Sequence, residues 1–184
     1  WLFALAEVIP AALLIRRWGT SPARGRAAVQ YVRAMLGGLA ALLAGIFLLG
    51  WNHAATTGVW SFDLSALTGT PVPAGQQSLI FVLLFGGLAV RLALFPFHAW
   101  LPIVAKHGTV AVGMVLLVGA KVGVYALLRF VLPLLPAAAQ QWDGWVVALG
   151  LAGMVYGALL AVLQIDLRRL LAFAVISQSG VLMA

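Results

Sequence analysis

The sequence contains no cysteine and only four acidic residues among its 184 positions. Without cysteine there is no disulfide framework and no zinc–thiolate or iron–sulfur site. No two histidines stand at the spacing of metal ligands, so a metal site is not expected. The chain also lacks a glycine-rich phosphate loop, a nucleophile elbow and a pair of catalytic carboxylates. These absences leave the movement of charge as the chemistry to consider.

The composition is that of a membrane protein. Hydrophobic residues make up 64% of the chain and charged residues 8%, and the mean hydropathy is +1.10. These values are typical of a polytopic protein in a lipid bilayer. The formal net charge of +7 would suggest a nucleic-acid partner in a soluble protein. Here the basic residues stand at the ends of apolar runs or singly inside them, so no nucleic-acid binding is expected.

The apolar runs predict an all-α fold, a polytopic bundle of transmembrane helices. The chain starts and stops inside apolar runs, so residues 1–184 are expected to be a single membrane domain from a longer protein. Six spans are predicted, the first and last of them truncated: 1–15, 34–51, 78–102, 110–132, 145–163 and 166–184.

The basic residues between the spans predict the orientation. The segments 16–33 and 168–169 and the loop at Lys106 are basic, and they alternate with loops that lack lysine and arginine. The positive-inside rule places the basic set in the cytoplasm. The alternation is consistent across all six spans.

Charged residues inside the apolar runs are the most informative feature. Glu7, Arg91 and Lys121 each lie within a span, and Arg129 lies nearer the end of one. A charge near the middle of a bilayer costs at least about 2.5–3.5 kcal/mol. Such residues usually belong to an ion or proton path, and we expect them to face one another inside the bundle.

Glu7 and Lys121 are the candidates for proton exchange. Apart from Asp166, which opens the last span, Glu7 is the only carboxylate within a predicted span, and it can pair with Arg91 or Lys121 or relay protons itself. Lys121 is flanked by Gly119 and Gly123, which let neighbouring helices and water approach. A desolvated lysine can release its proton near neutral pH. The alternative is a purely structural role for both charges.

The third span is expected to be a discontinuous helix near Pro96. Proline has no N–H group, so the carbonyl of Leu92 loses its helical partner. As one helix, residues 78–102 would extend about 37 Å, longer than the roughly 30 Å hydrocarbon core. The break is therefore predicted between Leu92 and Leu101, where backbone lines a cavity. An ordinary proline kink with Arg91 reaching the membrane surface is the alternative.

The three histidines are predicted to have different roles. His98 follows the break and His107 stands beside Lys106, and at either place an imidazole can shuttle protons. His53 is predicted to lie in an exposed loop without a function. Trp100 is predicted to anchor the chain at the membrane interface.

Several segments together resemble one protein family. They are the stretch around Glu7 and residues 57–62, 91–102, 121–130 and 156–180. Their sequences are similar to those of the antiporter-like membrane subunits of respiratory complex I. The resemblance covers nearly the whole chain and would correspond to about the fifth to tenth spans of such a subunit.

This resemblance implies roles for individual residues. The proton path of the family would fall on Glu7, Arg91 and Lys121. The chain departs from the family where Arg91 replaces a lysine, Ile103 an acid and Gln178 a histidine. Because arginine does not deprotonate in proteins, Arg91 is expected to act as a fixed charge, with water carrying the proton.

The resemblance also implies a function and partners. The chain would translocate protons in an NADH-quinone oxidoreductase of the bacterial inner membrane. It would carry no cofactor, and partner subunits would hold the flavin and the iron–sulfur clusters of the hetero-oligomer. One alternative is a subunit of a multisubunit cation/proton antiporter, or of a related hydrogenase or CO2-uptake complex. Another is a non-conducting membrane scaffold, which Arg91 favours and the presence of Glu7 and Lys121 opposes.

Overall fold

The computed structural model describes residues 2–184, and at 74, 110–111, 114–118 and 120 it describes the backbone alone. All regular structure in these residues is helical, as the apolar runs predict. The helices are α1 (Leu2–Trp18), α2 (Arg24–Thr57), α3 (Leu64–Thr68), α4 (Ala74–Arg91), α5 (Trp100–His107), α6 (Val110–Ala126), α7 (Leu132–Leu134), α8 (Pro136–Val162) and α9 (Leu167–Val181), with a π-helical turn at Leu127–Val131 between α6 and α7.

Two of the described helices are long and apolar enough to cross a membrane unaided. They are α2 and α8, and the apolar part of α4, Gly75–Arg91, is shorter. Two of the other predicted spans are interrupted. The third is divided into α4 and α5, and the fourth changes from α-helix to π-helix at Leu127.

Helix α2 is longer than predicted at both ends. It begins at Arg24, so Arg24, Arg26 and Arg33 lie on the helix and the loop expected over 16–33 is largely wrong. Arginine is a good helix former, and no proline follows Arg24 within this stretch, so the helix extends into the basic region. At its other end, α2 stops at Gly58, whose φ of 76° is left-handed and whose N–H donates to the carbonyl of Ala54.

The longer α2 also changes the environment of His53. This residue is buried on α2 instead of exposed in a loop, so the prediction for it was wrong. Its Nδ1 lies 2.7 Å from the hydroxyl of Thr70. Asn52 donates to the carbonyl of Pro71 at 3.3 Å. These two bonds hold the segment after α3 against α2.

The three basic segments meet at one end of the bundle. The N–H of Thr20 donates to the carbonyl of His107 at 3.1 Å. Nη1 of Arg168 donates both to the hydroxyl of Thr20 and to the carbonyl of Gly108, each at 3.0 Å. The segments after α1, after α5 and before α9 therefore share one side, as the positive-inside rule requires.

Helices α8 and α9 pack with their backbones in contact. A Cβ added at Gly157 would lie 2.6 Å from the amide nitrogen of Ser177, and one at Gly150 would lie 2.9 Å from the carbonyl of Gly180. Side chains at these positions would force the helices apart. Small residues are the usual means by which transmembrane helices approach this closely.

The predicted break is present between α4 and α5. Helix α4 ends at Arg91, α5 begins at Trp100, and Pro96 lies between them. The break stands where two buried apolar clusters meet, because Ala93 belongs to the cluster around α1, α2, α5 and α9, whereas Leu92 and Leu94 belong to the cluster around α4 and α8.

The backbone at Ala93 gives a test of this break. Ala93 is 2% exposed and has a φ of 50°, a conformation that costs a residue with a Cβ roughly 1 kcal/mol or more. We expect Ala93→Gly to leave the Tm of the assembled protein nearly unchanged, since relief of strain offsets the lost methyl group. Ala93→Val should lower the Tm more than Ala89→Val, which enlarges an equally buried alanine on α4. Equal losses for the two valine variants would contradict a strained Ala93.

Candidate functional site

An ion pair joins two of the predicted intramembrane charges. Nη2 of Arg91, the last residue of α4, donates to Oε2 of Glu7 on α1. The Arg91 side chain is 11% exposed and the Glu7 side chain 32%. Removing one partner would leave a charge in apolar surroundings, which is far costlier than keeping the pair. The expectation that Arg91 lies beside the break and faces Glu7 or Lys121 is confirmed, with Glu7 as its partner.

Helix α6 reaches this ion pair through a residue without a side chain. A Cβ added at Gly119 would lie 3.4 Å from Oε1 of Glu7 and 3.7 Å from Nη2 of Arg91. Glycine therefore lets the α6 backbone stand directly beside the two charges. Gly119 was predicted to let neighbouring helices approach, and it does so here for Glu7 on α1 and Arg91 on α4.

Lys121 itself does not face the pair, contrary to expectation. Its side chain is exposed and has no hydrogen bond or ion pair to any residue that the structure describes. Gly119 is directed at the pair, and two residues correspond to about 200° of rotation along an α-helix. Lys121 therefore points to the opposite side of α6.

A cavity of about 480 Å³ adjoins the ion pair, and we call it the Glu7 cavity. It lies between α1, α2, α4, α6 and the π-helical turn, with Leu42, Leu88 and Val122 among its apolar walls. Glu7 and Arg91 are the charged side chains among its described lining residues. Water occupies about 30 Å³ per molecule in the liquid. The cavity is therefore large enough for several water molecules next to the carboxylate.

The carbonyl group that Pro96 leaves without its helical donor is satisfied from elsewhere in the chain. The hydroxyl of Ser179 on α9 donates to the carbonyl of Leu92 at 2.9 Å, in place of the N–H that Pro96 lacks. The neighbouring carbonyl of Val90 accepts from the N–H of Ala93 at 3.2 Å, and Nε1 of Trp100 donates a further bond to it at 3.0 Å.

Trp100 is buried, so its predicted role as an interface anchor was wrong. It is 3% exposed and packs edge-on against Tyr31 at 5.6 Å between ring centroids. Sequence reasoning also missed Ser179, although one signal for it existed. A proline inside a buried helix requires a donor for the carbonyl four residues earlier, and a hydroxyl elsewhere in the bundle is a common source.

His98 is buried between the break and α8. Its ring lies 5.6 Å from that of Phe95 and 4.9 Å from that of Tyr156, between centroids. Its Nδ1 is buried and has no hydrogen-bond partner among the described residues. His98 is therefore close to the break, as predicted, and it is held by aromatic contacts.

His107 lies at the basic end of the bundle, where its carbonyl accepts from Thr20. The structure brings it into no contact with Glu7 or Arg91. Burial lowers the pKa of His107 below its usual value, and the nearby Lys106 lowers it further. The imidazole is therefore neutral at pH 7.

Comparison with known sequences identifies similar proteins along the whole chain. A family profile described as "NADH:quinone oxidoreductase/Mrp antiporter, TM" matches residues 1–184. The chain is 34% identical over 180 residues to NADH-quinone oxidoreductase subunit M of Escherichia coli (strain K12), which covers 94% of this chain and 35% of that subunit. The chain thus spans about a third of the length of this relative.

Two solved structures contain a similar fold. A chain of respiratory complex I from Thermus thermophilus with bound NADH matches with a TM-score of 0.88 at 30% identity, covering 98% of this chain and 38% of that one. A chain of the membrane-bound sulfane sulfur reductase, an archaeal respiratory membrane complex, matches with a TM-score of 0.83 at 21% identity, covering 97% and 36%. The second match shows the fold alone. Together the matches confirm the all-α membrane bundle.

The hydrogen bond from Ser179 provides a test of how the break is held. Ser179→Ala leaves the buried carbonyl of Leu92 without a donor and should destabilise the protein by about 1–3 kcal/mol. Ser177→Ala is the matched control, since its hydroxyl donates to Met154, a carbonyl inside the continuous helix α8. Thermal unfolding of the assembled protein measures both. Equal stability of the two variants would show that the Ser179 hydroxyl does not support the break.

Proposed function

This chain belongs to the NADH:quinone oxidoreductase/Mrp antiporter family of membrane subunits, and we propose that it translocates protons as part of an NADH-quinone oxidoreductase. The observation that carries the proposal is the Glu7–Arg91 ion pair beside a broken helix. A titratable carboxylate, a fixed cation and a cavity large enough for water stand together within apolar surroundings. A purely structural bundle has no need of these costly groups.

In the proposed path, Glu7 is the group that takes up and releases the proton. Protonation neutralises the carboxylate and weakens its bond to Arg91. Arg91 keeps its charge because a guanidinium does not deprotonate in a protein, so it remains in place to pair with the carboxylate again once the proton has left. The proton passes the break by way of Glu7 and water, while Arg91 serves as a fixed charge.

Lys121 is the next group in the proposed path. It lies on the face of α6 opposite the ion pair, so water in and around the bundle would carry the proton between Glu7 and Lys121. An ammonium can release its proton where an arginine cannot. His98, buried beside the break, and His107, neutral at the basic end, are proposed as further relay groups.

The relatives support the proposed assembly. Residues 1–184 would form a single membrane domain of a longer subunit in the bacterial inner membrane, in contact with other membrane subunits of a hetero-oligomer. Flavin and iron–sulfur clusters in partner subunits would supply the redox energy, and this chain would hold no cofactor. The second candidate is a cation/proton antiporter subunit, which the description of the family profile also includes.

A double-mutant cycle tests the ion pair. Glu7→Gln leaves Arg91 uncompensated and should abolish proton pumping and lower the stability of the complex. The loss should be about 1–3 kcal/mol, less than for a fully buried pair because Glu7 is 32% exposed. Adding Arg91→Gln should restore assembly without restoring pumping. The measurements are Tm and proton uptake in reconstituted vesicles.

Other outcomes of this cycle distinguish the alternatives. Additive effects of the two substitutions would show that the residues are not coupled. Full pumping by the assembled double variant would favour the scaffold. Loss of sodium-coupled transport in a complex without NADH oxidation would favour the antiporter.

Substitution of Lys121 tests the second relay group. Lys121→Ala should reduce pumping at least about tenfold and leave the Tm unchanged, because the side chain has no described partner. Lys121→Arg should also reduce pumping, since arginine retains its proton. Arg129→Ala removes an exposed charge shortly after α6 and is the matched control. Normal pumping by Lys121→Arg would show that proton release at this position is not required.

A further inference from the structure

A second cavity lies on the face of the α1–α2 pair and belongs to no part of the proposed proton path. It is an open groove of about 520 Å³ between the two helices near the basic end, and we call it the Arg16–Arg33 groove. Leu13 and Val29 line it and are each about half exposed. Ala28 forms part of its floor.

Two arginines border this groove. Arg16 is in the last turn of α1, and Arg33 is about two and a half turns into α2. Both side chains are exposed, and neither makes an ion pair or a hydrogen bond with a residue that the structure describes. No acidic residue lines the groove. Two positive charges therefore stand over an apolar floor without an anion from the described part of the chain.

The position of the groove in the membrane indicates which partner Arg16 and Arg33 would meet. Because α1 and α2 meet at the basic end, the guanidinium groups lie near the cytoplasmic surface, where anionic lipid headgroups are found. Arginine side chains extend toward that surface along apolar walls. Guanidinium groups bind phosphate oxygens with paired, charge-assisted hydrogen bonds.

We propose that the Arg16–Arg33 groove binds one anionic phospholipid. Its phosphate would lie between the two guanidinium groups, and an acyl chain would lie against Leu13 and Val29. Gly25 lies at the groove with open space around its Cα, since a Cβ there would meet no atom within 4 Å, which leaves room for the headgroup.

The size of the groove favours a lipid over a helix of another subunit. An α-helix with its side chains is about 10–12 Å across, so a single turn of 5.4 Å occupies at least roughly 400 Å³. The groove would accept little more than one such turn. An acyl chain is thinner and bends to follow a shallow floor.

The test uses the intact purified complex, reconstituted in vesicles of phosphatidylcholine and phosphatidylglycerol in equal parts. Native mass spectrometry after mild delipidation counts the phosphatidylglycerol retained. The double variant Arg16→Gln/Arg33→Gln should retain this lipid about thirtyfold more weakly, since each arginine near the surface contributes roughly a factor of five. Arg17→Gln/Arg26→Gln removes the same charge from the same end outside the groove and should retain it. Equal loss in both double variants, or in neither, would overturn the proposal.

Two further variants separate the remaining explanations. Gly25→Leu fills the groove without changing its charge and should also displace the lipid. Because residues 1–184 contain no cysteine, Val29→Cys adds the one thiol of this segment, and peptide mass spectrometry of the segment reads its labelling by a membrane-soluble maleimide. Phosphatidylglycerol should protect this thiol and phosphatidylcholine alone should not. Protection in both lipids would mean that another subunit covers the groove, and the proposal would be wrong.

Discussion

The structure depends on one constraint, which is that a buried charge or a free backbone carbonyl inside an apolar bundle needs a partner from the protein. The break after α4 creates two such needs at once, because it places Arg91 and the carbonyl of Leu92 at the same point. The partners are Glu7 from α1 and Ser179 from α9, and Trp100 from α5 adds a bond to the carbonyl of Val90. An unsatisfied group in such surroundings costs several kcal/mol. The break therefore determines which helices pack around it.

Two groups of charges in the chain have different surroundings. At the basic end, arginines on α1 and α2 are exposed, and two of them border the groove proposed to bind lipid. Beside the break, a single guanidinium is neutralised by a single carboxylate. By the positive-inside rule the first group would orient the protein in the bilayer, whereas in the proposed function the second would supply the group that takes up a proton. Glu7, one of only four acidic residues in the sequence, is the carboxylate beside the break.

Much of this arrangement could be predicted from the sequence, because the strongest signals are local. The spans follow from apolar length and the break from Pro96. The cost of leaving Glu7 alone predicts a cationic partner, although the sequence leaves the choice between Arg91 and Lys121 open. The rest depends on contacts between distant segments. The donor to Leu92 comes from Ser179, 87 residues away. The direction of Lys121 depends on Gly119 being the residue that touches the ion pair. His53 was misjudged because the end of α2 is set by Gly58 and not by the end of the apolar run.

The contacts of Arg168 have a mechanical consequence. One guanidinium joins the segment after α1 to the segment after α5 and belongs itself to the first turn of α9. These hydrogen bonds hold α1, α5 and α9 at the same level at one end of the bundle. None of the three helices can slide along its axis without breaking them. Helix α8 would move together with α9, because the two backbones are in contact at Gly150 and Gly157. Motion during the proposed transport cycle would then be tilting about the basic end, with its largest amplitude at the opposite surface.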